Sequence, residues 1–452
     1  MLQKFTVIFL LFLTVVLSFG NILFQENQDS LVITGKYVQL EIGKDGNLRW
    51  VSHLFGRAVP FYKYDKDGFD VSILSAETKT TSETPTFNVE FGPEKKNGSY
   101  EFVKVIFEYP NGSQKVYVFD ESLVTYQFKV LIKSADPSAK QKVSLPLIWS
   151  SDTVRYGGNI FISYRPDKDY VVIVKFDGQL AKTGVPSVSG SSIELDVFMG
   201  PYKRMLVKHI YGLESDKIFT LLKTIPGVGT WYSFISDGLS EFFNWLNLLT
   251  RNFGLTIILF TIIVRLVLYP FYHAQTKQMI QMRKLQPAIE AIKKKYKEPQ
   301  KQQEELMKLY KENNINPSSG CLMLLIQLPI FMLLYGVIQS YQELFSVSGR
   351  FLIWKDLSAG GWSENWLFLI LTILTSYYLA LITSQDTRSA WQQIIIGAVF
   401  PFFFINLPSG IFLYWTMNSI IQLAITFYIY KRYKIKGLTH YELWGVKPKK
   451  RG

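Results

Sequence analysis

The stretch Leu255 to Tyr272, LTIILFTIIVRLVLYPFY, carries a single charge, Arg265, in an otherwise span-like run. Coiled as a helix at about 1.5 Å per residue, it would extend about 27 Å, close to the roughly 30 Å hydrocarbon core of a bilayer. It therefore reads as a membrane span with an arginine inside it. Such an arginine costs roughly 2.5–3.5 kcal/mol on insertion scales and persists where it pairs, faces water or serves a pathway. The plain alternative is snorkelling, in which the long stem lifts the guanidinium to the nearer headgroups.

Working outward, Cys321 to Tyr341 and Trp366 to Thr383 are uncharged and also read as spans. Trp391 to Tyr430 is forty residues without a charge, too long for one crossing, and Leu407-Pro408-Ser409-Gly410 places a turn near its middle. It reads as a transmembrane hairpin with arms 391–406 and 411–430. The first arm is short, about 24 Å, and calls for little tilt or local thinning. Phe5 to Gly20 follows Lys4 and is uncharged, so it reads as an export signal. The small residues Ser18 and Gly20 suit cleavage, and retention as an anchor is the other reading.

The whole chain is 48% hydrophobic and 19% charged, with a net charge of +13. This is too apolar for a disordered protein. Residues 273–320 contribute +5 (ten Lys/Arg, five Asp/Glu), and residues 431–452 contribute +7 (eight and one). By the positive-inside rule both segments are cytoplasmic, and residues 21–227 lie outside. Arg265, about 12 Å before His273 on the helix axis, then belongs to the inner half of the bilayer. The charge reports topology, and no specific DNA binding is implied by it. Lys293-Lys294-Lys295 reads as a solvated face near anionic lipids.

The exported region, 21–227, shows hairpin signals: Tyr37–Ile42 and Leu48–Val51 around Asp45-Gly46, and Glu101–Tyr109 and Gln114–Phe119 around Asn111-Gly112. Further strands are expected at Val124–Ile132, Tyr170–Phe176 and Ile193–Phe198. The expected fold class is a polytopic α-helical membrane protein with a large all-β sandwich as its exported domain. The acidic group Asp65, Asp67 and Asp70 is explained by loop solvation. No GxSxG, HExxH or Walker A pattern occurs, Cys321 is the sole cysteine, and four histidines are scattered. Neither an enzyme nor a cofactor is expected.

Residues 228–250 read as an aromatic-rich interfacial helix carrying Trp231, Phe234, Phe242, Phe243, Trp245, Leu246 and Leu249. Residues 251–430 form the transmembrane core, including a cytoplasmic helical hairpin at 273–320. There Met282, Leu285, Ile289 and Ile292 recur at helical spacing before Pro299 breaks the pattern. Thr261 shares the face of Arg265, four residues earlier. On the last span Trp415, Asn418, Ser419, Gln422 and Thr426 draw a polar stripe, and Gln327 adds a polar group to another span. Such groups either join helices or line a cavity. No acidic residue lies in these spans to pair with Arg265, which favours a wet cavity or a partner that arrives later. A small-molecule transporter or channel is the rival reading.

Four segments carry a resemblance: Thr261–Pro270 (TIIVRLVLYP), Met282–Ile289 (MRKLQPAI), Leu309–Phe331 (LYKENNINPSSGCLMLLIQLPIF) and Leu407–Asn418 (LPSGIFLYWTMN). Their order and spacing through residues 230–435 resemble the YidC-type membrane protein insertases of the bacterial inner membrane. The exported domain resembles the periplasmic sandwich of the Gram-negative branch in position and texture. The resemblance implies a five-helix insertase core, with residues 1–20 as an anchor helix. It also implies a chaperone and insertase for nascent membrane proteins that works without nucleotide, alone or beside the Sec translocon. The groove arginine would be Arg265, with substrate contacts at Thr261 and Trp415. The cytoplasmic hairpin and the basic tail would receive the substrate and the ribosome.

Overall fold

The computed structural model describes residues 22–53, 59–63, 71–74, 85–95, 98–136, 140–146, 148, 151–166, 169–181, 187–225, 228, 233–313, 332–384 and 386–445. The expected anchor at 1–20, the acidic group 65–70, Trp231, Cys321 and Gln327 lie outside them. The chain divides into two compact units, Met1–Ser233 and Phe234–Gly452.

The first unit is an antiparallel β-sandwich. One sheet runs in chain order through β1 (Leu23–Glu26), β2 (Ser30–Thr34), β3 (Val38–Gly43), β4 (Leu48–His53) and β5 (Val59–Lys63). The largest has the order β12 (Val154–Gly157), β13 (Ile160–Arg165), β14 (Tyr170–Phe176), β17 (Ser192–Pro201), β10 (Gln127–Lys133), β9 (Gln114–Phe119), β8 (Val103–Glu108), β7 (Thr86–Phe91). A third joins β15 (Gln179–Ala181), β16 (Ser187–Gly190), β11 (Lys140–Ser144) and β6 (Val71–Leu74).

Period-two burial along β8 and β9 follows from one face meeting the core. Their register, Glu108 opposite Gln114, is set by the turn at Asn111-Gly112. Gly112 takes φ +77°, and the Asn111 side chain accepts from the Ser113 N–H at 2.9 Å. At the β3–β4 turn the Tyr117 hydroxyl donates to the Gly46 carbonyl at 2.9 Å, and the buried Lys115 ammonium donates to Asn47 Oδ1 at 3.1 Å. The turn of one sheet is thereby fastened to a strand of another.

Two sequence expectations change here. The strand expected from Val124 begins at Gln127, because Glu121–Thr125 form a 3₁₀ turn capped by Asp120 and closed by Tyr126 at φ +63°. The region also carries two helices, α1 (Arg204–Tyr211) and α2 (Ser215–Lys223). Helix α2 lies against β12 and β13. The Leu221 side chain of α2 rests on Gly157, where a Cβ would come within 2.6 Å of its Cδ1.

The second unit is helical: α3 (Ser233–Thr250), α4 (Phe253–Val267), α5 (Tyr269–Lys284), α6 (Gln286–Lys295), α7 (Pro299–Glu312), α8 (332–340), α9 (Gln342–Ser348), α10 (Trp362–Thr383), α11 (Thr387–Phe403), α12 (Ser409–Arg432) and α13 (His440–Leu443). Helices α10 and α12, of 22 and 24 residues, are long and apolar enough to cross a membrane, and α4 is a shorter apolar helix of 15 residues. The stretch 255–272 is not one continuous helix. Pro270 has no N–H, and its ring opposes the carbonyl four residues back, so the helix stops at Val267 and restarts at Tyr269. Pro299 likewise falls at the first position of α7, where a missing N–H costs nothing.

Helix α12 is central, packing on α4 and α10, while α11 packs on α10. The α11–α12 turn is pinned by Asn365, fully buried, whose amide donates to the carbonyls of Ile405 and Leu407 at 2.8 Å each. Helix α3 buries Ser240, Phe243 and Leu246 and leaves Phe234, Trp245, Leu248 and Leu249 exposed. One face of the helix is thus packed and the other open, the distribution of an amphipathic helix.

Beyond α12 the chain doubles back. The Leu438 N–H donates to the Leu381 carbonyl at 2.7 Å, and Leu443 is buried against Ala380, Leu381, Ala390 and Ile394. Thr439 and Glu442 form a reciprocal capping box on α13. Tyr377 Oη lies 2.8 Å from His440 Nδ1, and the Trp444 ring meets Trp391 edge to face at 5.0 Å.

Candidate functional site: a buried arginine between two helices

Arg265 sits in the last turn of α4 and is only 2% exposed. Its partners come from α12. Nε donates to Asn418 Oδ1 at 2.6 Å, one terminal nitrogen to Gln422 Oε1 at 2.6 Å, and the other to the Asn418 carbonyl at 3.3 Å. The guanidinium also lies over the Tyr272 ring, 4.3 Å from its centroid. The spacing explains the geometry: Asn418 and Gln422 are one turn apart on α12, so their amide oxygens meet the fork of one guanidinium.

Charge-assisted hydrogen bonds contribute roughly 1.5–3 kcal/mol each, enough to offset much of the insertion cost of a buried arginine. Neutral side-chain amide oxygens and one backbone carbonyl accept three of the five guanidinium N–H groups. They do so without cancelling its charge.

The other candidate residues divide. Thr261 is 1% exposed and shares the Arg265 face, but its hydroxyl donates back to the Ile257 carbonyl at 2.6 Å. Gln422 continues the chain of contacts by donating to Thr426 at 3.1 Å. Trp415 stacks on Phe412 with centroids 6.0 Å apart and lies 6.3 Å from the Phe404 ring. Ser419 is half-buried beside Asn418 on the same helix. Gln327 is outside the described residues. The structure thus joins Arg265, Asn418 and Gln422 directly and sets Trp415 in an aromatic cluster nearer the start of α12.

Sequence reasoning passed over Tyr272, although it lies within the opening stretch; an aromatic seven residues after an arginine is two helical turns away. It also passed over the pair Thr372 and Thr416, whose hydroxyls lie 3.1 Å apart between α10 and α12. Among the described residues, no group of His, Cys, Asp or Glu is arranged to hold a metal.

Comparison with known proteins converges. Residues 245–436 match the family described as 60Kd inner membrane protein. The chain is 51% identical over 390 residues to the membrane protein insertase YidC of Thermotoga maritima, covering 86% of this chain and 85% of that one. It is 39% identical over 192 residues to the membrane protein insertase YidC of Clostridium perfringens, covering 39% of this chain and 78% of the relative. The crystal structure of an active YidC insertase with its first transmembrane domain resolved superposes with a TM-score of 0.72 at 43% identity, over 94% of this chain and 99% of that one. The crystal structure of YidC from Thermotoga maritima gives a TM-score of 0.64 at 35% identity, over 90% and 99%.

Fold and site together define a polytopic helical membrane protein that carries a large antiparallel β-sandwich domain. The chain belongs to the YidC family of membrane protein insertases.

Proposed function

We propose that this protein inserts nascent membrane proteins into the bacterial inner membrane, with Arg265 as the charged element of a hydrophilic groove. The observation that carries this reading is the pairing of a buried guanidinium with two neutral amides. A carboxylate at about 4 Å interacts with a cation by about 4 kcal/mol at an effective dielectric of 20. That is comparable to the roughly 1.5–3 kcal/mol of each amide contact it would displace. An acidic flank of a nascent segment can therefore take over Arg265 from Asn418 and Gln422, and it can leave again because the amides recapture the cation. Thr261 and Trp415 are assigned to the wall along which the substrate passes, with Ser419 and Gln327 as further groove positions.

In this reading the apolar segment leaves sideways into lipid, and the short helix α11 lessens the thickness to be crossed. Residues 21–227 face the periplasm, and the 273–320 hairpin and the C-terminus face the cytoplasm, in accord with their charge. The exposed lysines 293–295 at the end of α6 suit the ribosome or anionic lipids. Work beside the Sec translocon and independence from nucleotide belong to the same proposal. Reconstitution into liposomes tests it: protease-protected insertion of a single-span substrate without added nucleotide is expected. Solute flux without insertion would favour a transporter.

A further inference from the structure

The loop between α9 and α10 contains a minimal hairpin. Phe351 and Trp354 exchange both backbone hydrogen bonds, at 2.8 and 2.9 Å, leaving Leu352 and Ile353 as its two-residue tip. Leu352 holds φ +50°. That left-handed conformation suits Gly or Asn and strains a leucine. Elsewhere the chain turns its hairpins with Asp45-Gly46 and Asn111-Gly112, the composition expected of a turn in water. Here the tip is purely aliphatic, and its residues are 76% and 65% exposed.

The base of the hairpin is held against two helices. The Trp354 indole donates to the Glu364 carbonyl at 2.7 Å, and its ring stacks on Phe368 with centroids 4.2 Å apart. Phe368 stands six residues, about 9 Å, inside α10. On the other side Phe351 lies so close to Gly254, in the first turn of α4, that a Cβ there would collide with its ring. The base of the hairpin therefore packs against the first turns of α4 and α10. At the same end of the bundle, Trp362 meets Phe402 edge to face at 4.8 Å, and both rings remain exposed beside Phe403. Such aromatics gather at the level of lipid headgroups.

We propose that Leu352 and Ile353 are a lipid anchor, seated in the leaflet where α4 and α10 begin, and that this seat stabilises that end of the bundle. The proposal rests on the reading of α10 as a membrane span. Lipid is the occupant because the base of the tip packs on the first turns of α4 and α10, at the end of the bundle where exposed aromatics gather, and because an exposed aliphatic pair gains from apolar surroundings.

The test uses the full chain with Cys321→Ser, reconstituted in phosphatidylethanolamine/phosphatidylglycerol vesicles. Nitroxide labels go singly on Ile353→Cys, on Ile370→Cys in the exposed middle of α10, and on Ser191→Cys in an exposed turn of the β-sandwich. The label at 353 is expected to collide with a water-soluble nickel chelate several-fold less than the label at 191, while colliding readily with oxygen. Nickel access at 353 equal to that at 191 overturns the anchor. Protection at 353 from both reagents also overturns it, since protein rather than lipid then covers the tip. Free nickel access at 370 overturns the spanning reading and the anchor with it. As a second measurement, Leu352→Asn with Ile353→Gly relieves the backbone strain. Its melting temperature in vesicles is expected to fall below that of the parent, and a rise overturns the proposal.

Discussion

The Nε of Arg265 donates to the side-chain oxygen of Asn418 at 2.6 Å, across 153 positions of sequence. That contact and its neighbour on Gln422 join the helix that carries the buried charge to the central helix of the bundle.

Removing the amide exposes how far the cation depends on it. Asn418→Leu leaves the Nε donor of the guanidinium unsatisfied while the backbone carbonyl contact persists, and stability should drop by roughly 1–3 kcal/mol. A thermal unfolding series in detergent checks this. Asn418→Asp should keep the melting temperature at or above that of the parent, yet slow the insertion of acidic-flanked substrates several-fold, because a resident carboxylate then occupies Arg265. Equal insertion rates for parent and Asp variant would show that the guanidinium need not be released.

At the α11–α12 turn, Asn365 holds two backbone carbonyls and approaches the Ser409 hydroxyl at 2.9 Å. Asn365→Leu is expected to cost roughly 1–3 kcal/mol through the Leu407 carbonyl it strands, the Ile405 carbonyl keeping the Gly361 N–H. Hydrogen exchange should rise first at residues 404–410.

The β-sandwich has its own pH signature. Lys175 donates to Glu214 at 2.8 Å and holds its carboxyl below the ordinary carboxylate range. A depressed folded-state pKa adds stability above the unfolded value that is lost as pH falls through the folded one. Lys175→Met should therefore lower the melting temperature of the sandwich at neutral pH. The two melting curves should converge in acid, below the folded pKa of Glu214. The effect is small because the pair is partly solvated.

The C-terminal strap should respond to its aromatic contacts. Trp391→Ala removes the partner of Trp444, and trypsin should then cut at Lys434 and Lys436 several-fold faster, which mass spectrometry of early fragments would register.

Much of this was legible from residue order. Asn111-Gly112 and Asp45-Gly46 fix their hairpins through local backbone chemistry, and the stripe 415, 418, 419, 422 follows from helical spacing alone. Arg265 stood out because one charge in an apolar run has few physical explanations. What escaped depends on contacts between distant segments. Nothing local indicates that the amide partners of Arg265 lie on α12, or that Tyr272 passes under it after the break at Leu268. The helices at 204–223 hide in a region whose texture is set by strands, and Leu352-Ile353 lacks turn chemistry altogether.

The central claim is that Arg265 serves acidic flanks by transient pairing. The most direct measurement compares protease-protected insertion, in proteoliposomes, of two substrates that differ only in an acidic or a neutral flank, with the parent, Arg265→Ala and Arg265→Lys. The Ala variant should lose most insertion of the acidic-flanked substrate and little of the neutral one, while Lys largely preserves both. Equal insertion of the two substrates by Arg265→Ala would contradict the account.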